Sequence, residues 1–555
     1  MKTFEIIYTL FGGLGLFFFG MKSMSDGLQA IAGDVIKNAI NLITRNRFLA
    51  VLVGVFVTML IQSSSVTTVM VVGFVNAGLM SLVQAVGVIF GANIGTTITG
   101  WIISIKVGKY GLLLIAIGIF PLLFSKTQKW RQIGRICFSI GLIFAGLETM
   151  SGALRPLRGS PEVIEALSYF SGNNHMGYLA AIGMGCIITM IFQSSSAMLG
   201  LTIAMATTGI ISFPTAVALV FGENIGTTIT AQLAAVGGNV NAKRAARAHA
   251  IFNVLGVIVI FIILPLYISF VEWIVPGNAE LVSANGDRPN IAFHIAMSHS
   301  IFNISSTLIF IPFIGPLTRF VTKIVPDSGE KEITHLVVLG NASELLPATA
   351  IVQAFEEVKK LKEIILRQYS LTTDYFKSAT NDPKMFSGIK KYEAISDNIQ
   401  KEVTLFVCKL MEKSLTPTQS RQCQALVKLA DEFESIADYL ERMATYKDRY
   451  TEDVPIDGET GAEFFSFVTR VWDYFLLTTS GIDGIQKHNQ QYLERKSDEI
   501  KLFANSIKDN HLQRIKEKKY NAKTVLAYSD LVVALRKIRS HSVNIAQAAE
   551  AFHTN

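Results

Sequence analysis

The sequence predicts an all-α polytopic membrane protein followed by a soluble helical bundle. Three observations lead there. Half of the 555 residues are hydrophobic and the mean hydropathy is +0.40, a combination that soluble chains of this length seldom show. Charge is split along the chain: residues 1–326 hold 19 of the 50 Lys/Arg and 10 of the 43 Asp/Glu, and the remaining residues hold 31 and 33. A polar pattern inside the apolar part occurs twice at fixed spacing.

A spanning helix needs about 20 mostly apolar residues. Candidate stretches are 4–21, 48–76, 81–105, 112–124, 136–154, 178–207, 210–236, 249–273 and 291–314. Several are interrupted by Gln, Ser, Asn, Thr and Gly, which predicts re-entrant hairpins and broken helices. The stretch 112–124 is short for a full span. The first apolar run follows only Lys2 and shows no small-residue cleavage site, so it reads as a retained helix.

The interruptions repeat. Gln62-Ser63-Ser64-Ser65 recurs as Gln193-Ser194-Ser195-Ser196, and Gly91-Ala92-Asn93-Ile94-Gly95-Thr96-Thr97 recurs as Gly222-Glu223-Asn224-Ile225-Gly226-Thr227-Thr228. One offset relates both pairs. It also relates Gly78, Ser81 and Phe90 to Gly209, Ser212 and Phe221. Upstream, Gly15, Gly20, Met24 and Ser25 match Gly141, Gly146, Met150 and Ser151. The chain therefore carries a duplicated unit, about 4–105 and 136–236, with further membrane helices over 249–314. Arg45 and Arg47 precede the first Gln-Ser-Ser-Ser, whereas 170–178 holds only His175. That contrast favours opposite orientation of the two copies, the plan of many secondary transporters. The excess of basic charge belongs to membrane loops and is no sign of nucleic-acid binding.

A Gln and three hydroxyls are costly at membrane depth unless they find partners. Freed backbone N–H groups at a half-helix N-terminus suit an oxyanion. Freed carbonyls with Gln, Asn and Thr oxygens suit a hard cation such as Na⁺. No Lys or Arg lies inside the motifs. A lone Ser-Ser-Ser more often serves close helix packing; two copies at matched spacing favour a shared site. Glu223 breaks the symmetry against Ala92, and is a candidate coupling residue or the partner of a neighbouring helix. His249-Ala250-Ile251-Phe252-Asn253 and His299-Ser300-Ile301-Phe302-Asn303 form a second small repeat, read as interhelical hydrogen bonding with proton relay as the alternative. His294 reads as structural.

Beyond a linker at 327–338, residues 339–555 show amphipathic helices over 350–369, 390–413, 418–446, 464–505 and 522–552, with connections at 416–417 and 454–461. Four cysteines, Cys137, Cys186, Cys408 and Cys423, show no metal-type spacing or disulfide framework. No nucleotide loop, His-Glu-x-x-His or Gly-x-Ser-x-Gly motif occurs, and the serine motifs lack a neighbouring base, so the sequence does not read as an enzyme.

The two Gln-Ser-Ser-Ser and Gly-x-Asn-Ile-Gly-Thr-Thr pairs resemble the type II sodium–phosphate cotransporter family. The resemblance implies sodium-coupled transport of inorganic phosphate, with Ser63, Ser64, Ser65, Ser194, Ser195 and Ser196 binding phosphate. Gln62, Gln193, Asn93, Asn224, Thr96, Thr97, Thr227 and Thr228 would bind sodium or line the site. The C-terminal part resembles PhoU, a helical regulator linked to bacterial phosphate transport. This implies a cytoplasmic regulatory domain of a bacterial inner-membrane protein, acting on a regulatory partner or as a homodimer. PhoU-like proteins bind a divalent or iron metal through carboxylates one helical turn apart. Glu393/Asp397, Glu434/Asp438 and Glu494/Asp498 have that spacing, but Arg536 and Ser540 stand at acidic positions of the last helix. The competing readings are a phosphate-sensing receptor that signals through the bundle and a phosphate exporter.

Overall fold

The computed structural model describes residues 2–41, 46–76, 78–105, 110–161, 165, 175–236, 238–327, 347–378, 380–413, 415–449, 458–482, 490–517 and 522–553. Among these there is no strand. The chain divides into two compact units, Met1–Ser328 and Gly329–Asn555.

In the first unit the helices are α1 (Lys2–Asn41), α2 (Arg47–Ile61), α3 (Ser64–Asn76), α4 (Leu82–Gly95), α5 (Thr97–Ser104), α6 (Gly111–Phe124) and α7 (Gln128–Leu154). After a short 3₁₀ turn come α8 (His175–Phe192), α9 (Ser195–Thr207), α10 (Phe213–Gly226), α11 (Thr228–Ala234), α12 (Val240–Ile262), α13 (Leu264–Ile274), α14 (Ile291–Phe310) and α15 (Ile314–Ile324). Among the described residues, six helical segments are long and apolar enough to cross a membrane, and the chain is an integral membrane protein. The stretches 48–76 and 178–207 are each divided in two at a Gln-Ser turn.

The inversion of the repeats can be read from α1 and α7, which occupy equivalent places in the two copies. Gly13 lies against Gly146 and Met150, Gly20 against Ser139 and Ile143, and Gly27 against Gln132 and Ile136. One number rises as the other falls, so the equivalent helices run antiparallel.

Within a copy, α2 runs parallel to α4: Gly87 meets Arg47 and Ala50, Gly91 meets Val51, and Gly95 meets Val55 and Thr58. Helix α3 leads back from the end of α2 toward the start of α4, so α2–α3 is a hairpin that enters and leaves on one face. Its tip stands level with the middle of the α4–α5 span. The second copy repeats this, with Gly222 against Ile182 and Cys186 and Gly226 against Cys186 and Thr189. At Gly91 and Gly222 a Cβ would collide with the carbonyls of Val51 and Ile182. Two backbones approach to contact there, which glycine alone permits.

The short His-Phe-Asn repeat explains how α12 and α14 dock. Phe252 stacks on Phe90 at 4.0 Å, and Phe302 packs on Phe221 at 4.7 Å. Phe90 and Phe221 are equivalent residues, so each broken span receives one copy of the small repeat. Helix ends are tied likewise. The carbonyl of Asn76 accepts from Asn239 Nδ2 at 2.8 Å, and that of Thr207, its counterpart, accepts from the Arg288 N–H at 2.7 Å.

Among its described residues the second unit holds six long helices: α16 (Pro347–Lys377), α17 (Pro383–Met411), α18 (Pro417–Arg449), α19 (Gly458–Thr479), α20 (Gln490–Lys516) and α21 (Ala522–His553). Tyr375, Phe433, Phe464, Phe467, Phe475 and Tyr528 are fully buried, and Tyr369 stacks flat on Trp472. Two sequence expectations need correction. The single helix expected over 464–505 is two helices: Thr478, Thr479 and Ser480 bond back to carbonyls at the end of α19, where side chains compete with the backbone ladder. Residues 458–461, read as connection, already belong to α19. The linker residues 328–338 and the loop position Arg45 lie outside the described residues.

Gly91→Ala or Gly222→Ala is expected to destabilise the protein by about 1–3 kcal/mol, the usual cost of overpacking. Thermal unfolding in detergent measures it, and an unchanged midpoint would contradict the backbone contact.

Candidate functional site

Gln62 and Gln193 are, among the described residues, the only non-glycine residues with positive φ, at 57° and 52°. The left-handed conformation costs an L-residue roughly 1–2 kcal/mol. It persists where the surroundings fix it, and such strain gathers at functional positions. Both N–H groups close the preceding helix, Gln62 onto Thr58 O at 2.7 Å and Gln193 onto Thr189 O at 2.8 Å. The first serine then caps the returning helix: Ser63 Oγ accepts from Val66 N at 3.2 Å, and Ser194 Oγ accepts from Ala197 N at 3.3 Å. Ser64, Ser65, Ser195 and Ser196 follow in the first turns of α3 and α9. Each hairpin tip thus presents a helix N-terminus bearing hydroxyls, with unsatisfied N–H groups and the positive end of the helix dipole.

The two tips differ in their surroundings. Gln62 is buried, accepts from Thr99 Oγ1 at 3.2 Å and donates to Met59 O at 2.5 Å. Ser25 of α1 donates to the Ile61 carbonyl at 2.5 Å, and Thr58 bonds Thr67 across the hairpin at 3.0 Å. Gln193 is exposed, Ser194–Ser196 are half-buried, and Ser64 is buried. Helix α5 packs on α9 and α11 on α3, so each hairpin's returning arm touches the other copy's broken span. Among the described residues no hydrogen bond joins the two serine turns directly.

The breaks in α4–α5 and α10–α11 are narrower than the sequence suggests. Only Thr96 and Thr227 separate the halves. Thr97 Oγ1 donates to Ile94 O, Thr228 Oγ1 to Ile225 O and Thr227 Oγ1 to Glu223 O, each at 2.8 Å. The threonines thus occupy carbonyls expected to be free, and the same carbonyls also accept backbone N–H groups, Thr96 N on Ile94 O and Thr227 N on Glu223 O and Ile225 O. Asn93 donates to Asn253 Oδ1 at 2.7 Å, and His299 Nε2 lies 3.4 Å from Asn224 Oδ1. The small repeat therefore serves interhelical hydrogen bonding. His294 is held between the carbonyls of Asn290 and Gly277. Glu223 is buried and accepts from Thr202 Oγ1 at 2.8 Å. Thr99, Thr202 and Ser25 are contacts of the site that the sequence does not single out, although Ser25 stands in a repeated pattern and Thr99 and Thr230 share the offset of the motifs. A mostly apolar cavity of about 560 Å³ lies between α5 and α14, lined by Trp101, Ile105 and Phe293; it contains none of these motif residues.

In the second unit two of the three carboxylate pairs each have one member in an ion pair. Asp397 pairs with Lys401 and Asp438 with Arg442, both at 2.7 Å. Arg539 donates to Ser497, between Glu494 and Asp498, at 2.7 Å. Among the described residues no group of three or more His, Cys, Asp or Glu side chains is arranged to hold a metal ion. Burial and then repulsion by Asp397 and Asp438 raise the Glu393 pKa. Burial, Asp438 and Asp397 do the same to Glu434.

Inverted helical repeats with polar hairpin tips at the middle of broken spans define the class of a membrane transporter. Comparison narrows the class: the chain belongs to the Na⁺/Pi-cotransporter family, whose description matches residues 16–152 and 162–272. That is a family of transporters, not of enzymes. An uncharacterized Bacillus subtilis protein, YqeW, is 32% identical over 327 residues, 58% of this chain and 99% of its own. The putative inorganic phosphate export protein YjbB of Escherichia coli is 25% identical over 79% of this chain and 77% of its own. The rat sodium-dependent phosphate transport protein 2A is 36% identical over 100 residues, 17% of this chain and 15% of its own. No solved structure matches the chain.

Two outcomes follow from these contacts. Asn253→Ala leaves the buried Asn93 amide without its partner and is expected to cost about 1–3 kcal/mol, read as a lower unfolding midpoint; no change would show the bond to be dispensable. For Glu434 the folded bundle retains its proton to higher pH than the unfolded chain, so this group's contribution to stability falls as pH rises from the ordinary carboxylate range. Glu434→Gln should therefore raise the bundle's melting temperature more at pH 7 than at pH 4, and an equal or inverted effect would refute the repulsion.

Proposed function

We propose that the chain carries inorganic phosphate across the membrane in company with sodium ions. The observation that carries this reading is the pair of left-handed glutamine turns, each opening a serine-bearing helix, on inverted copies of one unit. Ser63, Ser64, Ser65, Ser194, Ser195 and Ser196 bind phosphate through hydroxyls and backbone N–H groups. Gln62, Gln193, Asn93, Asn224, Thr96, Thr97, Thr227 and Thr228 supply oxygens for sodium and hold the tips in place. The site itself offers no Lys or Arg, so a phosphate dianion there needs co-bound cations to offset its charge. The family's description and the printed names of its relatives support phosphate and sodium as the transported species.

The membrane orientation follows from charge. Bonds from Asn239 to Asn76 and from Arg244 to the Val325 carbonyl gather the base of the first hairpin, the start of α12 and the end of α15 on one face. The basic residues Arg47, Lys243, Arg244, Arg247, Arg319 and Lys323 belong to these segments, and the positive-inside rule supports reading that face as cytoplasmic. In this reading the C-terminal helical unit lies in the cytoplasm of a bacterial cell and regulates transport as a PhoU-like domain. Metal binding there and a homodimeric state belong to the same reading. The direction is set by the ion gradients. Net export is a second reading, favoured by the printed name of the Escherichia coli relative.

Purified protein in proteoliposomes should accumulate radiolabelled phosphate under an inward Na⁺ gradient and not under an equal K⁺ gradient. Gln62→Ala, Gln193→Ala or the pair Ser64→Ala/Ser195→Ala should reduce uptake by at least roughly tenfold, since each removes a midplane ligand. Uptake indifferent to sodium, or full uptake in these variants, would overturn the assignment.

A further inference from the structure

Glu223 and Thr202 distinguish the second repeat from the first. At the offset that aligns the two Gln-Ser-Ser-Ser motifs, Glu223 corresponds to Ala92 and Thr202 to Val71. All four are buried. One copy thus places an acid on a hydroxyl where the other has two buried apolar side chains. The exchange of both partners together marks a designed pair rather than an incidental acid.

The carboxylate has little to satisfy it. Glu223 is 2% exposed. Its one described hydrogen bond comes from Thr202 Oγ1 at 2.8 Å. Among the described residues no Lys, Arg or His forms an ion pair with it. Residues that flank the pair in sequence, Met198, Leu199, Ile203, Val220 and Phe221, belong to the buried apolar core. An unpaired negative charge at this depth is not retained without a compensating positive charge.

The surroundings suit a small hard cation. Glu223 stands in the last turn of α10, where the C-terminal carbonyls carry the negative end of the dipole. A carboxylate oxygen and the Thr202 hydroxyl oxygen, 2.8 Å apart, are oxygen donors of the kind that such ions take. Thr202 lies on α9, the returning arm that begins at Ser195, so the pair links the second serine turn to the second broken span.

We propose that Glu223 and Thr202 form a sodium-binding position that only the second repeat possesses. This rests on the reading of the chain as a sodium-coupled phosphate carrier, and adds to it an ion whose charge the protein itself balances. The sodium ion at this position therefore binds before phosphate arrives, whereas a cation held only by amide and hydroxyl oxygens gains its counter-charge from the phosphate.

The test is sodium binding by the full-length protein in phosphate-free detergent or nanodiscs. Thermal unfolding is followed as NaCl replaces choline chloride at constant ionic strength. The wild type is expected to gain stability specifically from Na⁺. Glu223→Ala/Thr202→Val, which installs the pair that the first repeat already packs, should raise the Na⁺ midpoint at least roughly tenfold. Glu223→Gln, which keeps size and hydrogen bonding, should do the same. A wild-type midpoint in either variant would overturn the proposal, as would a wild type insensitive to Na⁺. Phosphate flux is measured in parallel on the wild type: sodium stabilisation lost in the variants, with no phosphate flux, would sink the transport reading and leave this site standing.

Discussion

The membrane unit is governed by the need to satisfy backbone and side-chain polar groups where water is scarce. Each interruption of helix is closed locally. The glutamine N–H groups fold back onto threonine carbonyls, the first serine of each turn caps the next helix, and threonines at the span breaks bond to carbonyls one turn earlier. What remains open at each tip is directional: N–H groups and hydroxyls aimed away from the helix that ends there. The same accounting that lets irregular chain persist at this depth also leaves the donors that an oxyanion requires.

The two copies are alike in what builds the scaffold and unlike in what surrounds the site. Glycine seams, serine caps at Ser81 and Ser212, and the left-handed glycines Gly78 and Gly209 match position by position. The tips do not match: Gln62 is buried and bonded to Thr99, while Gln193 is exposed. Nor do the residues behind them, Ala92 against Glu223. Duplication therefore supplies the frame, and divergence at a few buried positions separates the roles of the halves.

Much of this was legible in the sequence because the polar interruptions are rare and their offset is constant. The division of 48–76 and 178–207 follows from Gln and Ser within apolar runs, and opposite orientation follows from Arg47 against His175. Other features were not legible. The narrowness of the breaks at Thr96 and Thr227 depends on which carbonyl a threonine rotamer reaches. The partnership of Thr202 with Glu223 joins residues with no shared motif. The division of 464–505 into two helices escaped because the apolar period continues across it while hydroxyl residues at 478–480 end the helix. The docking of Phe252 and Phe302 onto Phe90 and Phe221 was half visible: the small repeat could be seen, but what it packs against could not.

The hydrogen bond between Gln62 and Thr99 also bears on biosynthesis. The hairpin tip emerges from the ribosome 37 residues before the threonine that satisfies it. The amide oxygen's described partner comes only with α5, so the polar closure of the first hairpin is complete only once α2 to α5 have all been made.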